Sequence, residues 1–293
     1  MTDAFLKINP RTLSTLFDVE PFEFQHSLSG LSQFKFDSLH ALAEKYRGHR
    51  ADYYIAGSAK ADTEFNSLTR ADVQADEAME QLDSHSYRII LQRPENYDAE
   101  FRDLMDGLFG HVLSLLGKFG REQVNRLQSS ILISSGASIT PFHFDPEVGF
   151  FSQIEGEKIY HVYSPAVVSE AELERFYVRG YVQISQIQLD GRDASREHVF
   201  TLRPGKGFHQ PQNAPHWVET RDRSISYTFV FETKDAQAHG RARGFNHLLR
   251  TIGLEGRPPG SSQTIDSLKA GLMQAVIPLR KGVGSALKVV RKG

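Results

Sequence analysis

Residues 139–165 read ITPFHFDPEVGFFSQIEGEKIYHVYSP. A His and an Asp stand two positions apart, His143 and Asp145, and a single Lys, Lys158, follows inside a run of aromatic and aliphatic residues. In an extended strand, residues i and i+2 point to the same face. An extended backbone here therefore sets the imidazole of His143 and the carboxylate of Asp145 side by side, where both can bind one ion. Parity also places Tyr160 on the face of Lys158 and His161 on the opposite one.

The neighbourhood has the same character. SSILISSGASI, GFFSQIEG, KIYHVYSP, YVQISQIQL, HVFTLRPG and SISYTFVFET are short β-type runs, punctuated by Gly, Pro, Asp and Asn, between about 129 and 235. Short strands at close spacing with turn signals predict an antiparallel sandwich or small barrel. Upstream, PFEFQHSLSGLSQF reads as a brief strand, a turn and a loop. FDSLHALAEKYRG reads as a helix with Asp37 as N-cap, Leu39, Leu42, Ala43 and Tyr46 on one stripe, and Gly48 as its stop. HSYRIILQR reads as a strand ended by Pro94. The clearest helix is FRDLMDGLFGHVLSLLGKFG, where Phe101, Leu104, Leu108, Val112, Leu115 and Leu116 recur at helical spacing. After 235, HGRARGFNHLLRTIGL reads as one helix, RPPGSSQT as a linker, and the remainder as helix interrupted by Pro278 and two glycines. Three segments result: a mixed α/β region over 1–128, a β-rich core over 129–235, and a helical extension over 236–293.

Bulk properties narrow the function. The chain has 293 residues, 40% hydrophobic and 11% aromatic, enough for one sizeable core. A formal net charge of -2 offers no general attraction to nucleic acid, and none is expected as a partner. Cysteine is absent, which excludes disulfides and Cys-ligated zinc or iron–sulfur sites, so any metal must use His and carboxylates. The start, MTDAFLKINPRTL, has no apolar run of signal-peptide length, and no stretch approaches ~18 uninterrupted apolar residues. A cytoplasmic protein without a transmembrane segment is the expectation. The tail carries Lys269, Arg280, Lys281, Lys288, Arg291 and Lys292. It reads as a solvated or self-packed helix, or a dimer contact, ahead of a membrane-surface helix.

One later His would complete two imidazoles and a carboxylate, the donor set that leaves positions open on Fe(II) for substrate and oxygen. His216, in RPGKGFHQPQNAPHWVET, follows a Gly- and Pro-rich turn and precedes a strand-like run. His209, seven residues earlier, is the alternative, as a ligand or as a lining of the pocket. His111 reads as a packing residue of its helix, and Trp217 as core beside the site.

Thr140, His143 and Asp145, then Lys158 thirteen positions after Asp145, then PGKGFHQPQNAPHWV and SISYTFVFE, together resemble the JmjC/cupin-like Fe(II)- and 2-oxoglutarate-dependent oxygenases. The nearest pattern is that of asparaginyl hydroxylases and small bacterial cupin-like proteins. The likeness covers about 129–233, is looser in PFEFQHSL and YRIILQRPENYDAEF, and is weak over the last fifty or so residues. It implies a double-stranded β-helix, the jelly-roll or cupin core, mainly β with flanking helices in an α+β chain. It implies Fe(II) on His143, Asp145 and His216, and 2-oxoglutarate held by Lys158 with help from Thr140. The implied activity is a dioxygenase, a hydroxylase of a small molecule or a protein side chain, with succinate and carbon dioxide as coproducts. Family analogy also suggests a homodimer through the C-terminal helices. The pattern departs at Gly149, where related hydroxylases carry an Asn near the co-substrate, so that contact falls to Ser226 or Thr228. The alternatives are a non-catalytic cupin-like binding or regulatory protein that retains the barrel, and a metal-dependent cupin of another chemistry. In the last case Lys158 would have no reason to exist. Histone demethylation is disfavoured, because no zinc-binding or reader module accompanies the core.

Overall fold

Alternating burial along successive strands builds two facing sheets. In the computed structural model, residues 5–63, 68, 70–117, 120–178 and 187–290 are described, with 277–290 described by backbone alone. By contact the chain divides into two units, one of residues 1–167 and 184–232, the other of residues 168–183 and 233–293.

The first unit holds the strands. They are β1 (Leu6–Lys7), β2 (Phe22–His26), β3 (Tyr53–Ala56), β4 (Arg88–Gln92), β5 (Val124–Ser134), β6 (Ser138–His143), β7 (Val148–Glu155), β8 (Lys158–Tyr163), β9 (Glu197–Leu202), β10 (Lys206–Gln210), β11 (His216–Thr220) and β12 (Ser224–Thr233). One sheet runs β1-β2-β10-β7-β12-β5-β4-β3 and the other β6-β11-β8-β9. Strands β5 to β12 are shared between the two sheets, four to each, and make the jelly roll expected from the motifs. The upstream strands β1 and β2 extend one edge of the larger sheet, and β4 and β3 extend the other. The expected strand at 181–189 has its first six residues outside the described residues.

Each face of the larger sheet has its own job. Val148, Phe150 and Ile154 of β7 and Ile225, Tyr227, Phe229 and Phe231 of β12 join one large core with Ile131, Ile133, Ile89 and Leu91. The helix α4 (Ala99–Leu116) closes that core with Phe101, Leu104, Met105, Leu108, Phe109, Val112 and Leu116. Each such side chain contributes roughly 1.5–3 kcal/mol by leaving water. Asp98 caps α4 by accepting from the Glu100 N–H, and Gly117 ends it with φ 57. The other face looks into the barrel, where Phe151, Tyr160, Val162, Leu202, Phe208, Ala214 and Val218 cluster.

Shorter helices α1 (Pro10–Leu16), α2 (Phe36–Glu44) and α3 (Ala75–Glu80) complete this unit. The residue at the start of α2 is Lys35, and Asp37 lies in the first turn. The expected Asp cap is thus replaced by a carboxylate acting on the helix dipole from within the first turn. Leu39, Leu42, Ala43 and Tyr46 are all buried, as their stripe predicts.

The second unit contains α5 (Glu170–Tyr177), α6 (Lys234–Thr251) and α7 (Gln263–Val290). Arg243 pairs with Glu170 at 3.0 Å and Arg250 with Glu174 at 2.8 Å, tying α6 to α5. Asn246 and Lys269 both donate to the Arg257 carbonyl, at 2.9 Å each. The expected interruption of the last helix does not occur, and α7 runs through Pro278. Proline holds the helical φ but removes one N–H and crowds the carbonyl four residues back, at a cost of roughly 3 kcal/mol, and the helix continues on both sides of it. No helix among the described residues is long and apolar enough to cross a membrane.

The turn between β7 and β8 is Glu155-Gly156-Glu157 and delivers Lys158 to the second sheet. Gly156 has φ 72, and a Cβ there would stand 2.2 Å from the Arg223 carbonyl oxygen. Only glycine combines that backbone with that approach. Gly156→Ala should destabilise the protein by on the order of 1–3 kcal/mol, read as a lower denaturant midpoint at unchanged slope.

Candidate metal centre and its pocket

The residues of the motif converge at one end of the barrel. Antiparallel pairing sets His216 of β11 directly opposite His143 of β6. The register shifts between His216 and Val218, so Pro141 and Phe142 bulge and the two imidazoles meet. Their ring centroids lie 4.2 Å apart at 51°. Asp145 follows β6 by two residues, and its Oδ2 is 3.9 Å from His216 Nε2. One ligand atom from each of His143, Asp145 and His216 falls within 4.8 Å of the other two, the one such cluster found among the described residues.

Hydrogen bonds select the useful tautomers. His143 Nδ1 donates to the Pro141 carbonyl at 2.6 Å and His216 Nδ1 to the Ala214 carbonyl at 3.2 Å. A carbonyl only accepts, so each Nδ1 carries the proton and each Nε2 the lone pair, which is the tautomer a metal ligand needs. Gln210 donates to the Asp145 carboxylate, while the Asp145 carbonyl accepts from the Asn213 N–H at 2.9 Å. Burial pushes both imidazoles toward the neutral form; for His143 the facing His216 adds to it. Burial also raises the Asp145 carboxyl, against the pull of His216, Gln210 and Arg126. A divalent cation would compensate the carboxylate and take both lone pairs.

Two strand rows deeper stands Lys158. It lies opposite Thr220 of β11, which in turn lies opposite Ser138 of β6, and it is 3% exposed. No hydrogen bond or ion pair of its ammonium is found among the described residues. Burial, and then the charge of Arg88, lowers its pKa to about 7. Ser138, in the same cross-strand row, and Ser134, Ser224 and Thr228 have hydroxyls that are buried without a partner in the described residues. Unpaired buried donors cost free energy unless something fills them. A small dianion reaching from the metal to the ammonium fits that requirement.

The other sequence candidates are spread over both sheets. Tyr160 packs in the barrel beside Phe208 and Phe151. Thr140 is half-buried and opposite Val218. Ser226 is committed to Gln153 Oε1 at 2.8 Å, whereas Thr228 is not committed. Gly149 pairs with Gln210 and Val230, and a Cβ on it would meet the Phe151 ring at 3.0 Å. His209 is turned to the other face of β10, between Phe22 and Phe150 at 4.8 Å each, and its Nε2 accepts from the Asp18 N–H at 3.0 Å. It is a core residue outside the metal cluster, and burial lowers its pKa to about 3. Trp217 lies across from His161 on the outer face of its sheet, the rings stacked at 3.8 Å. It is not in the barrel beside the metal, because its parity is opposite to that of His216 and Val218.

Gln210 and Arg88 escape the motif reading. Each shares a face with a recognised inner residue, and strand alternation is the signal that marks them. Arg126 with Glu147 (2.6 Å), and Asn125 with Glu232 (3.0 Å), pair near the metal end.

No protein-family model matches the chain. Ribosomal oxygenase 2 of Bos taurus is 24% identical over 210 residues, which cover 71% of this chain and 39% of that protein. The chain thus spans about two fifths of that relative's length. YcfD, a ribosomal oxygenase from Escherichia coli solved with cobalt and 2-oxoglutarate, shares the fold with TM-score 0.52 at 13% identity, covering 93% of this chain and 67% of its own. Its complex with cobalt and succinic acid gives 0.51 at 14%, with the same coverage. The resemblance read from the motifs therefore holds, in sequence and in fold.

The burial of the Lys158 ammonium has a measurable consequence. The folded pKa of Lys158 lies below the value of 10.5 it has when exposed, so the unfolded chain holds the extra proton between the two. Stability of the ligand-free protein should rise from about pH 7 toward pH 10, by a few kcal/mol. Lys158→Met should flatten that rise and raise the melting temperature at pH 7. A pH-stability profile by urea unfolding, wild type against variant, checks both.

Proposed function

We propose that this chain, JmjC/cupin-like in fold and motif, is an Fe(II)- and 2-oxoglutarate-dependent oxygenase. One juxtaposition supports this best. A His-Asp-His cluster stands at one end of a barrel whose deep interior carries a buried ammonium, with no counter-ion among the described residues.

His143 and His216 offer Nε2 lone pairs and Asp145 a carboxylate oxygen, and Gln210 keeps that carboxylate in place. When bound, ferrous iron supplies the redox chemistry that couples oxygen and 2-oxoglutarate to substrate oxidation, with succinate and carbon dioxide as coproducts. Lys158 takes the far carboxylate of 2-oxoglutarate. Thr140 and the uncommitted Thr228 supply hydroxyls between it and the metal. Phe151, Phe208, Tyr160 and Val218 keep water from the walls and strengthen every charge interaction inside.

Hydroxylation is the outcome we assign. Both named relatives are ribosomal oxygenases, and on that ground a protein side chain is the substrate class favoured here, ahead of a small molecule. A homodimer through α6 and α7 belongs to the same proposal, and Ile265, Leu268 and Leu272 of α7 are 38%, 64% and 46% exposed. The competing reading is a cupin-like binding protein that holds metal and 2-oxoglutarate without turning them over.

Purified protein given Fe(II), 2-oxoglutarate and oxygen should release succinate. His143→Ala and Asp145→Ala should stop this through loss of metal. Lys158→Ala should raise the KM for 2-oxoglutarate by roughly 10- to 100-fold, the equivalent of one charge-assisted contact. Succinate formation equal in wild type and Asp145→Ala would refute the assignment. Tight 2-oxoglutarate binding without succinate would favour the binding protein.

A further inference from the structure

Arg88 is a second cation inside the barrel, contributed by a strand upstream of the jelly roll. On β4, Arg88 pairs with Ser134 of β5, Ile89 with Ile133, and Leu91 with Ile131. The Ile and Leu residues belong to the outer core. Alternation therefore turns Arg88 and Ser134 to the opposite face, toward the barrel interior. Arg88 is 3% exposed. Its Nη1 donates to the Ile139 carbonyl at 3.2 Å, and Tyr54 also hydrogen-bonds it.

Ile139 stands between Ser138 and Thr140 on β6. Ser138 heads the cross-strand row that runs through Thr220 to Lys158. The guanidinium is thus anchored at the deep end of the cavity, near the ammonium. Arg88 is also the charge that, after burial, depresses Lys158. Two cations facing one buried space repel each other in a medium that screens poorly. An anion with two oxygens would relieve both, and a planar guanidinium suits a carboxylate. The hydroxyls of Ser134, which pairs with Arg88, and of Ser138, next to Ile139, have no partner among the described residues.

We propose that Arg88 acts with Lys158 as a second cationic contact for the far carboxylate of the co-substrate, and so makes the pocket selective for a 2-oxo diacid over a 2-oxo monoacid. This rests on the oxygenase reading above. Burial lowers the pKa of Arg88 from its usual value, opposed by Tyr54, but it brings Lys158 down to about 7, so Arg88 is the more persistent of the two charges. Arg88 therefore keeps the pocket cationic when Lys158 has lost its proton. The competing role is that of a strut joining β4 to β6, and a strut does not distinguish one ligand from another.

The test is calorimetric binding under anaerobic conditions, with Mn(II) in place of Fe(II). The two ligands are 2-oxoglutarate and 2-oxopentanoate, which carries a methyl group in place of the far carboxylate. Wild type should prefer the diacid. Arg88→Gln should weaken 2-oxoglutarate by roughly 10-fold or more, with 2-oxopentanoate and Mn(II) held within about twofold. Arg88→Lys, the variant to rely on if Gln impairs folding, should weaken the diacid by roughly threefold, because a point-like ammonium cannot make the forked contact. Equal losses for both ligands, or no loss for the diacid in a folded variant, overturn the role of Arg88 and leave the oxygenase reading standing. A wild-type protein that binds Mn(II) but no 2-oxoglutarate defeats that reading itself.

Discussion

The pairing of β6 with β11 governs everything chemical in this protein. It sets His143 against His216, and the shift between His216 and Val218 brings the rings to 4.2 Å. A slip of β6 by one residue would send His143 to the outer face and leave His216 without it, since alternate residues point opposite ways. Each ring is then locked by a carbonyl two residues before it, Pro141 or Ala214. Short local bonds fix the tautomer and the long-range ladder fixes the distance.

The interior that results is costly. Lys158 and Arg88 are both buried, and the hydroxyls of Ser134, Ser138, Ser224 and Thr228 lack partners in the described residues. Such groups oppose folding by some kcal/mol each. The structure can carry them because the opposite face of the same sheet packs an extensive apolar core against α4. Stability and chemistry are divided between the two faces of β7, β10 and β12. On β10 the division is visible residue by residue: Phe208 lines the barrel, His209 lies in the outer core, and Gln210 holds Asp145.

That division explains why the site tolerates its own polarity. Gly156 turns the chain from β7 into β8 at a point where no side chain fits, and the next strand begins at Lys158. The turn thus fixes where the Lys158 backbone enters the second sheet. A pocket of this kind is organised before any ligand arrives, so less ordering is left to be done on binding.

Sequence alone determined the local and periodic features. Period-two runs over 129–235, the apolar stripe of α4 and the spacing of His143, Asp145, Lys158 and His216 were all legible, because each depends on which neighbours share a face. The short α5 went unread, for eight residues carry too little periodicity. The α7 helix was expected to break at Pro278, since local propensity cannot register that the backbone is helical on both sides. Tertiary structure decided what spacing leaves open. His209 and His216 are both preceded by turn residues, and only the sheet shows that one faces Phe22 and Phe150 while the other faces Asp145. Ser226 and Thr228 have equal parity, and only the Gln153 contact separates them. Arg88 lies far upstream in a strand that looks ordinary, and pairing with β5 is what turns it inward. A strand's alternation can be read from its own residues, but the partner it pairs with, and hence what each face meets, is set by contacts between segments far apart in the chain.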